Sequence, residues 1–284
     1  MNDTLLTRLA SETMAAEASR REALLTTGKI GLGVALSALP FFTAKPAAAQ
    51  SMDGDIGILN YALTLEYLER AFYRRANGEG IDPAPSPLSV FPAANRALFN
   101  RIQADEEAHV DLLSGAITAA GGTPVVYEDT DFTFMVGDVD ASRDPALALI
   151  LAQGLEDTGV RAYKGRAADI VDRAYLTVAL QIHSVEARHA AAIRRINGRK
   201  GWISNDFEEV AAPIQATYGA GGGFPAESNI TQGGVDLTTL GYTALEVAEA
   251  FDEGLDGSLA MMPEVGTQLA GTVGAIANPF ITGT

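Results

Sequence analysis

The sequence predicts an all-α protein, an antiparallel four-helix bundle with one long crossover, followed by a Gly-rich C-terminal extension. Three observations lead to this fold class. Four segments between residues 55 and 200 repeat apolar residues at helical spacing, the connections between them run short, long, short, and glycine clusters interrupt any periodicity after Gly198. We therefore predict a bundle over residues 55–200 and an extension over residues 201–284 with one helix at 243–255.

The bounds of the four predicted helices follow from capping residues and breakers. The first covers residues 55–76, and the second begins near Pro92, a favourable first-turn residue, and ends before Gly121. The third covers 142–168 and opens on a polar cap followed by Pro145, and the fourth covers 172–197 and stops at Gly198. The long crossover, 121–141, contains residues typical of β-strands.

Composition excludes several classes of protein. The chain has 284 residues, of which 47% are hydrophobic, so it can bury a sizeable core. It has no cysteine, which excludes disulfides, thiolate metal sites and cysteine nucleophiles. Its formal net charge of -16 makes nucleic-acid binding improbable, because such a surface repels phosphates.

The first 49 residues resemble an export signal. Arg20 and Arg21 form a twin-arginine pattern ahead of an apolar stretch at 30–44, and Ala47 to Ala49 supply small residues for cleavage. The apolar stretch is shorter than the roughly 20 residues that a membrane span needs. We therefore predict a cleaved twin-arginine signal peptide over 1–49, a periplasmic or extracellular location, and no stable membrane insertion after cleavage. An uncleaved N-terminal anchor is the alternative.

Each predicted helix carries a glutamate near the middle of its apolar face. In the second and fourth helices a histidine follows that glutamate by three residues, on the same face. Four buried carboxylates without partners would cost more than a domain's whole stability of about 5–15 kcal/mol. Two divalent cations would neutralise them, so the predicted metal ligands are Glu66, Glu106, His109, Glu156, Glu186 and His189.

This pattern, with Glu on two helices and Glu-x-x-His on the other two, is that of ferritin-like di-metal bundles. Residues 60–73, the Glu-x-x-His of the second helix and residues 185–189 resemble the ferritin-like domain of desiccation-related proteins. Rubrerythrin, bacterioferritin and manganese catalase share the same site plan. The resemblance covers about residues 55–200 and implies a dinuclear site of two Fe or two Mn ions, with Glu106 and Glu186 bridging.

Three further residues are candidates for supporting roles. Tyr73 and Tyr163 each follow a site glutamate by seven residues, as an internal duplication would produce. They either hydrogen-bond ligand carboxylates, shuttle electrons or are plain core aromatics. The resemblance implies that Asp105 orients the histidine of the other helix, whereas Val185 occupies the equivalent place. Glu69 and His183 are weaker candidates near the site, better interpreted as surface residues, and Asp157 points away from the site and is interpreted as a surface charge.

Two functions of different class remain open. The first is an oxidoreductase that uses O₂ or peroxide, as a ferroxidase or peroxidase with iron or in peroxide dismutation with manganese. The second is a non-catalytic stress-protective or binding protein whose metal site is structural. The chain is also a possible homo-oligomer.

Overall fold

The computed structural model describes most of the chain between residues 54 and 255. The described ranges are 54–79, 87–136, 138–204, 212–219 and 225–255. The predicted signal peptide lies outside them. Within these ranges no helix is both long enough and apolar enough to cross a membrane.

Four long helices form the bundle, which confirms the predicted all-α fold class. Their bounds agree with the predicted ones to within a few residues. They are α1 (Asp55–Ala76), α2 (Ala93–Ala119), α3 (Pro145–Ala167) and α4 (Arg173–Ile196).

Capping residues explain where the helices begin and end. The side chain of Asp144 accepts hydrogen bonds from the backbone N–H groups of Ala146 and Leu147, which satisfies two free donors at the start of α3. Asp172 caps α4 in the same way. Gly198 follows α4 with a φ of 72°, a left-handed conformation that glycine adopts without strain.

The helices pair as two hairpins that face each other. α1 packs along α2, α3 packs along α4, and the hairpins meet mainly through α1 and α3, whereas α2 and α4 make few contacts with each other. The α3–α4 turn is held by Asp55, whose carboxylate accepts from the backbone N–H groups of Val171 and Asp172 at 2.8 and 2.7 Å. The bundle is therefore closed on the α1–α3 side and more open between α2 and α4.

The long crossover between α2 and α3 is anchored to the outside of α1. It contains a short 3₁₀ turn (Asp129–Asp131) and a two-residue antiparallel pair, β1 (Met135–Val136) with β2 (Val139–Asp140). Arg70 and Arg74 of α1 both form ion pairs with Asp129, and Arg75 donates to the carbonyl of Phe132 at 2.8 Å. These contacts direct the crossover along the bundle.

The C-terminal extension lies against α3. It comprises a 3₁₀ segment (Ala212–Tyr218), an antiparallel pair of β3 (Thr231–Gln232) with β4 (Val235–Asp236), a 3₁₀ turn (Leu237–Leu240) and α5 (Ala244–Ala250). Every residue of α3 from Leu151 to Tyr163 is buried as a result. The extension thus covers the face of α3 that the other helices leave exposed.

The helix predicted over 243–255 is present, but its predicted end is wrong. α5 ends at Ala250, five residues earlier than predicted. Thr243 and Glu246 form a capping box at its start. Phe251 has extended backbone angles, and the carbonyl of Glu253 and the N–H of Leu255 bond with Arg161 of α3. Residues 251–255 therefore use their backbone groups to dock on α3, which a continuing helix would not allow.

Candidate metal centre

The six predicted metal ligands meet in the middle of the bundle. Each helix brings its central glutamate to the same place, and all four glutamate side chains are completely buried. The two histidines are 8% and 6% exposed. Because the residues come from four different helices, only the folded bundle assembles them.

Both imidazoles turn Nδ1 toward the carboxylates. His109 Nδ1 lies 3.0 Å from Glu66 Oε2, 3.1 Å from Glu106 Oε2 and 3.1 Å from Glu186 Oε1. His189 Nδ1 lies 3.0 Å from Glu106 Oε1, 3.4 Å from Glu156 Oε2 and 3.7 Å from Glu186 Oε2. Each histidine therefore faces one glutamate of its own and the same two shared glutamates.

The ligand atoms divide into two overlapping sets. Each set has four residues, and its ligand atoms lie within 4.8 Å of one another. The first set contains Glu66 and His109, the second contains Glu156 and His189, and both contain Glu106 and Glu186. The two sets therefore overlap at Glu106 and Glu186, the two glutamates that face both histidines.

Several of these buried ligand atoms form no hydrogen bond, although imidazole nitrogens and carboxylate oxygens lie 3.0–3.7 Å from one another. Unpaired buried polar atoms are rare and costly in folded proteins. Among the described residues, those at the site are Glu106 Oε1, Glu156 Oε2, both carboxylate oxygens of Glu186, and His189 Nδ1. Oxygen and imidazole donors converging in this way fit a divalent metal ion such as Fe²⁺ or Mn²⁺.

The electrostatics show that the cluster is poorly balanced by protein groups alone. Burial and the charge of Glu186 raise the pKa of Glu106, and burial raises the pKa of Glu156 to about 7. Burial would also raise the pKa of Glu186, but the two imidazoles lower it to about 2. Conversely, burial would lower the pKa of each histidine, but the facing carboxylates raise it above its ordinary value. The buried carboxylates therefore strongly favour a positive charge between the two histidines.

Two tyrosines hold the unshared glutamates across the bundle. Tyr73 of α1 donates its hydroxyl to Glu156 Oε1 on α3, and Tyr163 of α3 donates to Glu66 Oε1 on α1. Burial and the neighbouring carboxylate raise the pKa of both phenols, so both keep the proton they donate. The geometry favours hydrogen bonding to carboxylates of the cluster over simple core packing of these tyrosines.

The two histidines differ in what contacts the ring edge that faces away from the glutamates, as the sequence suggests. His189 donates from Nε2 to Asp105 Oδ2 at 3.2 Å, and Arg101 donates to the same oxygen at 2.7 Å. Burial would raise the pKa of Asp105, but these two partners lower it. The equivalent residue on α4 is Val185, which has no group to offer His109. Asp105 therefore orients one histidine, and His109 has no corresponding carboxylate on α4.

Glu69 is a fifth buried carboxylate beside the four site glutamates, which corrects the prediction that it is a surface residue. It is 2% exposed, and burial and the charges of the four site glutamates raise its pKa well above the ordinary value. A Cβ on Gly159 of α3 would lie 3.1 Å from Glu69 Oε1 and 3.6 Å from Glu186 Oε2. The missing side chain at position 159 thus leaves the room that Glu69 occupies.

A sequence signal for Glu69 exists in the internal duplication. Glu66 and Glu156 are equivalent, so Glu69 and Gly159, each three residues further on, are equivalent as well. At these equivalent positions one helix carries a glutamate and the other carries a glycine, which has no side chain. This pairing indicates that the glutamate side chain extends into the space beside the glycine. Periodicity alone places Glu69 only at the edge of the α1 apolar face.

Other residues outside the cluster also differ from expectation. Asp157, interpreted as a surface charge, is 2% exposed and paired with Arg194 at 2.6 Å. Arg161 is completely buried, but it faces the extension, not the metal centre. His183 is half-buried, and its Nε2 is buried without a partner. None of these places a cation among the site glutamates.

We expect Glu69→Gln to stabilise the metal-free protein at neutral pH. A carboxyl whose pKa is raised on folding costs stability once the pH exceeds its unfolded value near 4.5, and glutamine removes that cost. The gain in free energy of unfolding should be about 1 kcal/mol or more at pH 7 and should vanish below pH 4 or so. Thermal unfolding with chelator at several pH values measures it.

The matched control is Asp111→Asn on the exposed side of α2. This change removes a carboxylate from the surface, so it should alter the unfolding temperature little at any pH. A pH-independent effect of Glu69→Gln would mean that Glu69 is not part of the charge cluster.

Comparison with known proteins agrees with the geometry. The family model described as the ferritin-like domain matches residues 54–199, just over half of the chain and the whole of the four-helix bundle. No curated protein matches the chain significantly. With its four helices and its buried glutamate–histidine cluster, the chain belongs to the ferritin-like domain family.

Proposed function

We propose that the protein binds two Fe or two Mn ions at a dinuclear centre. Glu66 and His109 would hold one ion, Glu156 and His189 the other, and Glu106 and Glu186 would bridge them. The observation that carries this assignment is the pair of overlapping ligand sets that share those two glutamates. The charges support it as well, since two divalent ions neutralise four carboxylates.

We further propose that the centre is an oxidoreductase site acting on Fe(II), O₂ or peroxide. When bound, two adjacent redox metals supply electron transfer to a small oxygen species. The chain's own residues prepare the site: Tyr73 and Tyr163 orient the two unshared carboxylates, and Asp105 orients His189. Glu69 adds a carboxyl that holds its proton more strongly than usual in the metal-free protein.

The alternative is a protective or binding protein in which the metals are structural. Two observations favour it: all four site glutamates are completely buried, and the extension covers α3. Enclosed metal sites generally contribute to folding and are not catalytic. A role in desiccation or oxidative stress is compatible with either function.

Turnover by the reconstituted protein separates the two functions. The protein is loaded with iron or with manganese, and peroxide consumption and Fe(II) oxidation are compared with the same amount of free metal. An oxidoreductase should exceed free metal with at least one of the two ions. A metal-replete protein without turnover in either assay, but with unfolding on chelation, would favour the structural role.

We also propose export through the twin-arginine pathway. The signal at residues 1–49 rests on the sequence alone, since these residues lie outside the described structure. Changing Arg20 and Arg21 to lysine should leave the protein in the cytoplasm, and N-terminal sequencing of exported protein should find a start close to Ala49. Export unaffected by the double change, or an exported protein that retains Met1, would contradict this prediction.

A further inference from the structure

A cleft between α2 and α4 reaches the outer edges of both site histidines. It has a volume of about 250 Å³ and lies where the two helices make few contacts. Both Nδ1 atoms point inward, so the opposite edges of the rings border the cleft. The polar and charged residues that line it are Arg101, Asp105, His109, Arg188 and His189.

The cleft carries positive charge on a strongly acidic protein. Its lining includes two guanidinium groups and one carboxylate, whereas the chain has a net charge of -16. Arg101 is half-exposed and bonded to Asp105 at 2.7 Å. Arg188 is exposed and forms no hydrogen bond or ion pair with any residue that the structure describes.

The two arginines are not a by-product of the internal duplication. An offset of 80 residues relates Glu106 to Glu186 and His109 to His189. The same offset relates Arg188 to Ala108 and Arg101 to Gln181, neither of which is basic. The positive charge at the cleft therefore arises from positions at which the two halves differ.

A pair of guanidinium groups at a small cleft suits one class of ligand. Planar guanidinium groups bind carboxylates and oxyanions through paired charge-assisted hydrogen bonds. The volume is below the roughly 300–1,000 Å³ of pockets for drug-sized molecules. Asp105 is the only acid lining the cleft among the described residues, and it is already bonded to Arg101 and His189.

We propose that this cleft binds a small oxyanion or carboxylate through Arg101 and Arg188, in competition with Asp105 for Arg101. The anion takes up the unused donors of Arg188 and shares those of Arg101. Arg101 and Arg188 are not among the predicted metal ligands, so the proposal does not depend on which metal is present or on catalysis.

Calorimetric titration at low ionic strength tests the proposal, with sulfate as the oxyanion and succinate as the carboxylate. The purified protein should bind at least one of them saturably, and the tighter one identifies the class. Arg101→Gln with Arg188→Gln should lower the affinity at least about tenfold, since each lost charge-assisted hydrogen bond is worth about that factor. Low ionic strength is needed because salt screens exposed charges.

Two further variants make the test specific. Arg173→Gln, an exposed arginine at the far end of α4, should leave the affinity unchanged. Asp105→Asn removes the competing carboxylate and should raise the affinity several-fold. No saturable binding, equal binding by the double arginine variant, or an unchanged affinity in Asp105→Asn would overturn the proposal.

Discussion

Replacement of both Glu106 and Glu186 by alanine is expected to abolish metal binding. These two glutamates belong to both ligand sets, so their loss leaves each position with one carboxylate and one imidazole. Two ligands from the protein are too few to retain a divalent ion against a chelator. Elemental analysis after dialysis should find about two ions per chain in the unchanged protein and none in the double variant.

The same pair of changes should also alter the response to chelation. Chelation leaves the unchanged protein with buried, uncompensated carboxylates, which is expected to lower its free energy of unfolding by several kcal/mol. The double variant has lost two of those carboxylates, so its unfolding temperature should no longer depend on chelator. Asp111→Ala on the exposed face of α2 is the control and should behave as the unchanged protein. Two retained ions in the double variant would place the metals elsewhere.

Replacement of Arg161 by alanine is expected to release the C-terminal extension. The completely buried guanidinium donates to the carbonyls of Thr217, Pro225 and Glu253 and forms an ion pair with the buried Glu227 at 2.8 Å. Removal of one partner of a buried ion pair costs about 3–5 kcal/mol, because the other charge stays buried. Thermal unfolding should show this loss, and limited proteolysis should cut the extension before the bundle.

Two companion variants separate charge from packing. Arg161→Met together with Glu227→Gln leaves no unpaired carboxylate, so it should recover part of the lost stability. Arg173→Ala at the exposed start of α4 should unfold as the unchanged protein does. An Arg161→Ala variant within about 0.5 kcal/mol of the unchanged protein would mean that the extension is not held by this residue.

The sequence predicted the bundle well because local signals mark each helix. Apolar residues at helical spacing, polar caps such as Asp144 and terminal breakers such as Gly198 act within a few residues of the helix they limit. The six central residues could be predicted for the same reason. Each lies in the middle of an apolar face, and a charged residue there is conspicuous.

The residues that were wrongly assigned to the surface are buried by contacts with parts of the chain that are distant in sequence. The interpretation of Asp157 and Glu69 as surface residues assumed that each helix has one buried face. α3 is instead buried on all sides from Leu151 to Tyr163, because the extension covers its outer face, and Asp157 accepts a hydrogen bond from Tyr218 there. The periodicity of a helix does not indicate what packs against its remaining face.

The early end of α5 has a similar origin. The residues at 251–255 fit a helical continuation in isolation, but their backbone groups bond to Arg161 and pack closely on α3. A Cβ on Gly165 of α3 would overlap the backbone of Leu255, so the close approach depends on glycine at that position. Tertiary contact therefore decided the conformation where the local preference was weak.

The proposed dinuclear centre is tested most directly by locating the metals themselves. Protein purified from its native compartment would be crystallised, and anomalous scattering would be measured on either side of the iron and manganese absorption edges. We expect two peaks per chain, one beside His109 and one beside His189, with Glu106 and Glu186 between them. A single peak, or peaks remote from these four residues in a metal-replete crystal, would contradict the assignment.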